Sequence, residues 1–317
     1  MGKEKQYLDG LLEKGTFRFD ALALSDVDNS PVLQAYSADI SDQETCLFHR
    51  EVATGDDYCV ILHEFLKKGL QSRESTPVVR FADGEYAFYD YTLECNGLYR
   101  QAESIEAIRG VMPQHVEAMR TLAKTGKIAS LIFPGNIRRK ERGIVSFFHT
   151  PKRDGGARNF LELLHRSRID LTLDNYIPFY VVYAYLTSKK FSELVDRKKI
   201  CVIGSDCNLE ACRQWFARFS SRPEILSVKI PDSYVATRWK SIQDEVLKTI
   251  PQDIDLCLVG AGIGSLLVCV DVAGAFHVPA IDAGHVLNLM NGQEDKSNGP
   301  RLYTIHRDGH GQDERST

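Results

Sequence analysis

The sequence predicts an α/β fold, with a mostly parallel sheet covered by helices on both faces. Three observations carry this. After residue 76, short apolar runs of strand length alternate with longer stretches of helical period. Several of the short runs end in glycine or acidic turns. Apolar residues make up 43% of the 317 residues, enough to bury a sizeable core. Strand and helix in alternation imply parallel neighbours, because each parallel strand needs a crossover to reach the next.

The elements follow in order. Residues 1–75 read as an accessory segment, with a short helix at 9–14, a partly alternating strand at 17–24, a packed helix at 57–70 and a polar linker to 76. Residues 76–291 read as a Rossmann-like catalytic domain. Its first strand, 78–81, ends at Asp83-Gly84. A helix over 104–125 is expected to be interrupted near Pro113 and stopped by Gly126. A strand at 128–133 ends in the turn Pro134-Gly135-Asn136, and residues 158–168 are helical. The aromatic-rich stretch 176–186 leads into further helix up to 195. Strands at 199–203, 225–230, 255–259 and 278–282 alternate with helices reaching 219, 249 and 275. Residues 292–317 read as a loose polar tail. No internal repeat is present.

Charge and composition exclude several classes. A net charge of −4 gives no global basic field, so nucleic acid is not the expected partner. Eight cysteines show neither C-x-x-C nor zinc-finger spacing, and several sit in apolar runs, as buried thiols of a reducing compartment do. The N-terminus begins no apolar signal region. The stretch 257–276 is apolar enough to imitate a membrane span, but Asp271 and four glycines favour strand, turn and helix. The expectation is a cytoplasmic enzyme without a membrane span, of undetermined oligomeric state.

In open parallel sheets, ligands bind beyond the carboxyl ends of the strands. Asp83-Gly84-Glu85 puts two carboxylates just past a buried strand, where both can reach Mn²⁺ or Mg²⁺; Arg80 can pair with the phosphates such a cation carries. The plain alternative is a tight turn with solvated carboxylates. The turn from Gly260 through Gly262 and Gly264 to Ser265 offers backbone N–H groups to phosphate. It is not the dinucleotide fingerprint, since Ser265 stands where the third glycine belongs. Asp282 and His285 end the last strand with a candidate ligand and base. Asn136 ends another strand beside a glycine. The basic runs 138–142 and 152–158 suit an anion clamp or a solvated face. The Asp-x-Asp pairs at 26/28 and 253/255 follow no convincing strand.

Three of these pieces together resemble the GT-D class of glycosyltransferases, first described as a bacterial domain of unknown function. Arg80-Phe81-Ala82-Asp83-Gly84-Glu85 is similar to that class's Arg-Phe-Gly-Asp-Gly-Glu motif, residues 255–271 to its strand, glycine turn and apolar helix, and Ala280-Ile281-Asp282-Ala283-Gly284-His285 to its closing motif. The similarity spans about residues 76–290. It implies transfer of a sugar from a nucleotide diphosphate, typically a UDP-hexose, to a glycan or glycoconjugate acceptor, as in polysaccharide biosynthesis. It implies catalytic and metal-binding roles for Asp83, Glu85 and His285, with Mn²⁺ or Mg²⁺ as cofactor. Arg80, Gly84, Asn136, Gly262, Ser265 and Asp282 are the expected substrate-binding residues. Two departures stand out: Ala82 replaces a glycine, and Gly204-Ser205-Asp206-Cys207-Asn208-Leu209 matches the class's central glycine motif only loosely. Two other readings stay open, a different metal-dependent enzyme acting on nucleotides (a phosphotransferase or hydrolase) and a non-catalytic nucleotide-sugar-binding protein.

Overall fold

The computed structural model describes residues 16–18, 45–47, 55–97, 99–132 and 156–292. Strands β1 (Thr16–Arg18) and β2 (Thr45–Leu47) pair antiparallel as a small separate ribbon. Helix α1 (Gly55–Ser72) leads into β3 (Thr76–Phe81), the short helix α2 (Asp83–Tyr89) and α3 (Ile105–Thr125). Then come β4 (Lys127–Ser130), α4 (Gly156–Arg166), β5 (Tyr176–Pro178), α5 (Phe179–Leu186) and α6 (Lys189–Leu194). The second half runs β6 (Lys199–Gly204), α7 (Leu209–Ala217), β7 (Glu224–Lys229), α8 (Val235–Thr249) and β8 (Leu256–Gly260). It closes with α9 (Ser265–Phe276), β9 (Pro279–Asp282) and α10 (His285–Met290).

Seven strands form one sheet in the order β5-β4-β3-β9-β8-β6-β7, and every neighbouring pair is parallel. The α/β class read from the sequence is the fold observed. All six residues of β3 are buried, as a central strand covered on both faces requires. Successive side chains point to opposite faces. Val79 and Phe81 join a core with α2, α3, α4, α8 and α9, while Val78 joins the opposite core with α1, α5, α6, α7 and α10. Strand β7 lies at an edge, and its Glu224 and Lys229 are exposed there, which blunts further pairing.

Three local expectations are corrected. Residues 83–85 are the first turn of α2 rather than an isolated turn. Pro113 does not interrupt α3; it sits on the exposed side, where the carbonyl it cannot bond faces water, while Ile108, Met112, Met119 and Leu122 anchor the buried side. The aromatic-rich stretch contributes a seventh strand, β5, three residues long and paired only with β4. Helix α1 lies within the stretch 1–75, and its Tyr58, Leu62 and Leu66 are part of the core. Residues 257–276 form strand, turn and helix, and no described helix is long and apolar enough to cross a membrane.

Candidate active site

Strands β3 and β9, the first and last of the seven-stranded sheet, lie side by side near its centre. One cleft of about 450 Å³ opens there, at the carboxyl ends of β3, β9, β8 and β6. It is lined by the first turn of α2, the start of α10, the glycine turn after β8, and loops that follow β6 and β7.

Arg80 and Asp282 stand at the base of this crevice. Arg80 Nη2 donates to Asp282 Oδ1 at 2.8 Å, Nε donates to the Asp282 carbonyl at 2.8 Å, and Nη1 donates to the Tyr183 hydroxyl. The Arg80 backbone N–H reaches Asp282 Oδ2 at 3.3 Å. The guanidinium also lies over the Tyr183 and Phe179 rings, 4.7 and 5.4 Å from their centroids. Burial works against its charge, but Asp282 and then Tyr183 outweigh burial and hold its pKa above the ordinary value. A guanidinium has five N–H donors, so these bonds leave two for a ligand.

Helix α2 begins with half of a capping box: Glu85 Oε2 accepts from the Ala82 N–H at 2.9 Å. Ala82 has no side-chain oxygen to supply the other half. Tyr86, one residue on, is buried and donates its hydroxyl to the Leu131 carbonyl at 2.9 Å, fixing the turn against β4. Asp83 is exposed at the cleft and Glu85 is half-buried. Burial pushes the Glu85 carboxyl up to about 7; Asp282 adds to the rise, while the Ala82 N–H and Arg80 oppose it. Gly84 has an ordinary backbone, and a Cβ there would meet nothing within 4 Å.

The glycine turn is more closed than its sequence suggests. The Ala261 N–H donates to Ser265 Oγ at 3.2 Å, the Ile263 N–H to Gln101 Oε1 at 3.0 Å and the Gly264 N–H to the Ala261 carbonyl at 3.1 Å. A phosphate would have to displace those partners. Gly262 has φ +55°, and a Cβ would fall 2.6 Å from the Gln101 amide. Gly264 clears α8, since its Cβ would lie 2.9 Å from the Ala236 backbone nitrogen.

The rest of the rim comes from loops. Asn291 ties α10 to the loop after β6: its Oδ1 accepts from the Asn208 N–H at 3.0 Å and its Nδ2 donates to the Asp206 carbonyl at 3.2 Å. Tyr234 starts α8 in the left-handed region, φ 62°, a conformation that bulky residues hold only where surrounding bonds enforce it. Its N–H donates to the Arg100 carbonyl at 2.8 Å.

The family model for the GT-D fold-like domain matches residues 60–290. The chain belongs to this GT-D-like family. No curated protein matches it. Two solved chains are similar. One is a selenomethionine-substituted domain of unknown function 1792, at 14% identity and TM-score 0.42; the other is described as that domain having a distinct glycosyltransferase fold, at 15% identity and TM-score 0.43. Each alignment covers 76% of this chain and 83% of the other.

In this GT-D-like domain, Arg80, Asp83, Gly84, Glu85, Gly262 and His285 line one cleft. Two expected substrate-binding residues are not among those that line it. Asp282 is 2% exposed and serves as the counter-ion of Arg80; Ser265 is 1% exposed and caps the glycine turn from behind. Asn136 and the basic run 138–142 lie outside the described residues. Among the described residues, no three His, Cys, Asp or Glu side chains form a group able to hold a metal by themselves. The cleft also takes in Tyr99, Gln101, Tyr183, Asp232 and Tyr234, which no sequence motif marked. Asp206, in the loosely matched 204–209 stretch, did carry a signal and does line the cleft.

Proposed function

We propose that this GT-D-like protein is a metal-assisted glycosyltransferase, moving a hexose from a nucleotide diphosphate donor, a UDP-sugar foremost, to a glycan or glycoconjugate acceptor. The observation that carries this is the pair Asp83 and Glu85, on one helical turn at the carboxyl-end cleft of a GT-D-like domain.

The charge balance of the cleft supports a cation. Asp83, Glu85, Asp206 and Asp232 line it; of the two arginines there, Arg80 is already paired with Asp282, which leaves Arg100 against four carboxyl groups. A diphosphate brings further negative charge and needs a cation to enter such a wall. Mn²⁺ or Mg²⁺ takes oxygen ligands, uses one or two carboxylates and shares the rest with water and substrate phosphates. Asp83 and Glu85 fit that manner of binding, which needs no closed cage of three protein ligands. When bound, the cation supplies charge stabilisation to the departing diphosphate.

In this reading the chain's own groups do the remainder. Arg80 offers its two unused N–H groups to the diphosphate, and the Asp282 pair fixes their direction. His285, at the start of α10 on the cleft wall, accepts the proton of the acceptor hydroxyl. Gly84 leaves the space that the phosphates fill.

Thermal-shift measurements with UDP-, GDP-, dTDP- and CMP-sugars, with and without Mn²⁺, test the proposal. A ligand that binds the native state raises apparent stability. The expected result is a cation-dependent shift with one donor, lost in Asp83→Asn/Glu85→Gln. A folded protein that shifts with none of them overturns it. Release of phosphate without sugar transfer would instead favour a phosphotransferase or hydrolase.

A further inference from the structure

Among the described residues, four large apolar side chains are left exposed: Val60, Tyr91, Leu93 and Tyr99. Of these only Tyr99 lines the cleft. It is 48% exposed, yet it is held from several directions. Its hydroxyl accepts from Asn288 Nδ2 at 3.1 Å, and its ring lies 6.2 Å from the His285 ring, tilted by 45°.

The backbone on its C-terminal side is pinned too. Asn96 Oδ1 accepts from the N–H groups of Gln101 and Ala102, at 2.6 and 2.9 Å, and Asn96 Nδ2 donates to the Ala102 carbonyl at 2.8 Å. The Arg100 carbonyl takes the Tyr234 N–H, and the Gln101 amide takes the Ile263 N–H. An aromatic ring so presented to solvent has been oriented before any ligand arrives, and a ligand pays little ordering cost to meet it.

We propose that Tyr99, braced by Asn288 and His285, is a stacking platform for a pyranose ring of the acceptor. A pyranose turns a face of C–H groups to a partner, and the negative face of an aromatic ring attracts it while apolar surface is buried. Polar groups at the ring's edge, Asn288 and His285, suit the hydroxyls that ring the sugar. The rim position favours an acceptor over a nucleobase: a glycan chain must leave the cleft into solvent, whereas a base is best held in a closed slot. A sugar stacked on Tyr99 brings its hydroxyls beside His285. The assignment of the sugar to the acceptor rests on the glycosyltransferase reading; the platform itself is tested separately from it.

Saturation-transfer-difference NMR reads the contact directly. The probes are the methyl glycosides of glucose, galactose, N-acetylglucosamine and rhamnose, with Mg²⁺ and UDP present. At least one should receive saturation at its ring C–H protons with the native protein. That transfer should fall about 5- to 10-fold in Tyr99→Ala, the loss of one stacking contact, and persist in Tyr99→Phe. The thermal shift from Mg²⁺ and UDP should be the same in all three proteins. Transfer unchanged in Tyr99→Ala, or absent for every glycoside in the native protein, overturns the platform. A nucleotide shift erased in Tyr99→Ala also overturns it, since the ring then serves the donor. A glycoside signal that depends on Tyr99, with no nucleotide shift in any protein, counts against the donor reading and leaves the platform standing.

Discussion

A methyl group on Gly284 would lie 1.8 Å from Nη2 of Arg80, so the glycine of segment 281–285 is there to clear the guanidinium. Its φ of +44° adds a second reason. Gly284→Ala should therefore cost at least about 2 kcal/mol, from overpacking and backbone strain together. Urea unfolding of the variant checks this; a loss below a few tenths of a kcal/mol would mean that Arg80 moves aside freely.

Asp282 is the charged partner of a buried Arg80. Asp282→Asn should destabilise by roughly 3–5 kcal/mol, because it leaves a buried cation uncompensated. The double variant Arg80→Met/Asp282→Leu should recover much of that loss, since well-packed apolar replacements of buried ion pairs are often near neutral. Chemical unfolding of both variants measures the difference. A double variant as unstable as the single one would show that the hydrogen bonds, rather than the charge, hold β3 to β9.

Gly84 behaves differently from Gly284. Its backbone is helical and a Cβ meets nothing, so Gly84→Ala should keep the fold or stabilise α2 by about 0.5–1 kcal/mol. Binding of a nucleotide diphosphate should weaken in the same variant, because the methyl enters the space beside Asp83 and Glu85. Titration of nucleotide in the presence of Mn²⁺, alongside a melting curve, separates the two effects.

His115 sets a pH dependence remote from the cleft. It is fully buried; its Nε2–H donates to the Ala236 carbonyl at 2.8 Å, and its Nδ1 lies 3.0 Å from the Tyr89 hydroxyl. Burial lowers its pKa to about 4, and the Ala236 bond opposes that only in part. The unfolded chain, with an ordinary value near 6.5, then binds more protons between those limits. Stability from this group is complete above pH 6.5 and is lost as pH falls through 4, by about 3 kcal/mol in all. Glu85, with its raised value, runs the other way over pH 4.5 to 7 in the metal-free protein. The native protein should accordingly be compared with His115→Gln, and the difference in unfolding free energy should shrink as the pH is lowered from 7 to 4.

Pro113 occupies the exposed interior of α3, with Arg109 and Gly110 exposed beside it. Pro113→Ala restores an N–H for the Arg109 carbonyl, at the expense of a more flexible unfolded chain. A net gain of about 1–2 kcal/mol is expected, read as a higher melting temperature. No gain would mean that the helix already accommodates the proline without strain.

The central architecture was legible because parallel strands buried on both faces are written as apolar runs, and their ends as glycine and acidic residues. Six of the seven strands of the large sheet stood out in this way. Strand β5 did not: Tyr176–Pro178 has three residues, lies at an edge and runs directly into the aromatic helix α5. The start of α2 was hidden because Asp-Gly-Glu is turn-like in composition, and its N-cap, Ala82, is not a capping residue by type. At the site, the linear motifs at 80–85 and 280–285 marked Arg80, Asp83, Glu85, Asp282 and His285. They could not show that Asp282 is spent on Arg80, or that the glycine turn's N–H groups are taken by Gln101 and Ser265. Those facts depend on contacts across 202, 162 and 4 residues, and the first two leave no periodic trace. Tyr99 and Tyr234 reach the cleft from connections, and Tyr183 from helix α5, whose paths are set by tertiary packing.

The meeting of β3 with β9 has a consequence for how this protein is made. On the ribosome, Arg80 emerges 202 residues before Asp282, so the nascent chain carries half of the crevice long before the other half exists. Until residues 279–285 are translated, the first strand of the large sheet lacks its neighbour on one side and the cleft lacks a wall. A message cut short before that point yields a chain without β9, the strand that joins β3 to β8. Closure of the cleft thus waits on the last strand of the sheet to be synthesised.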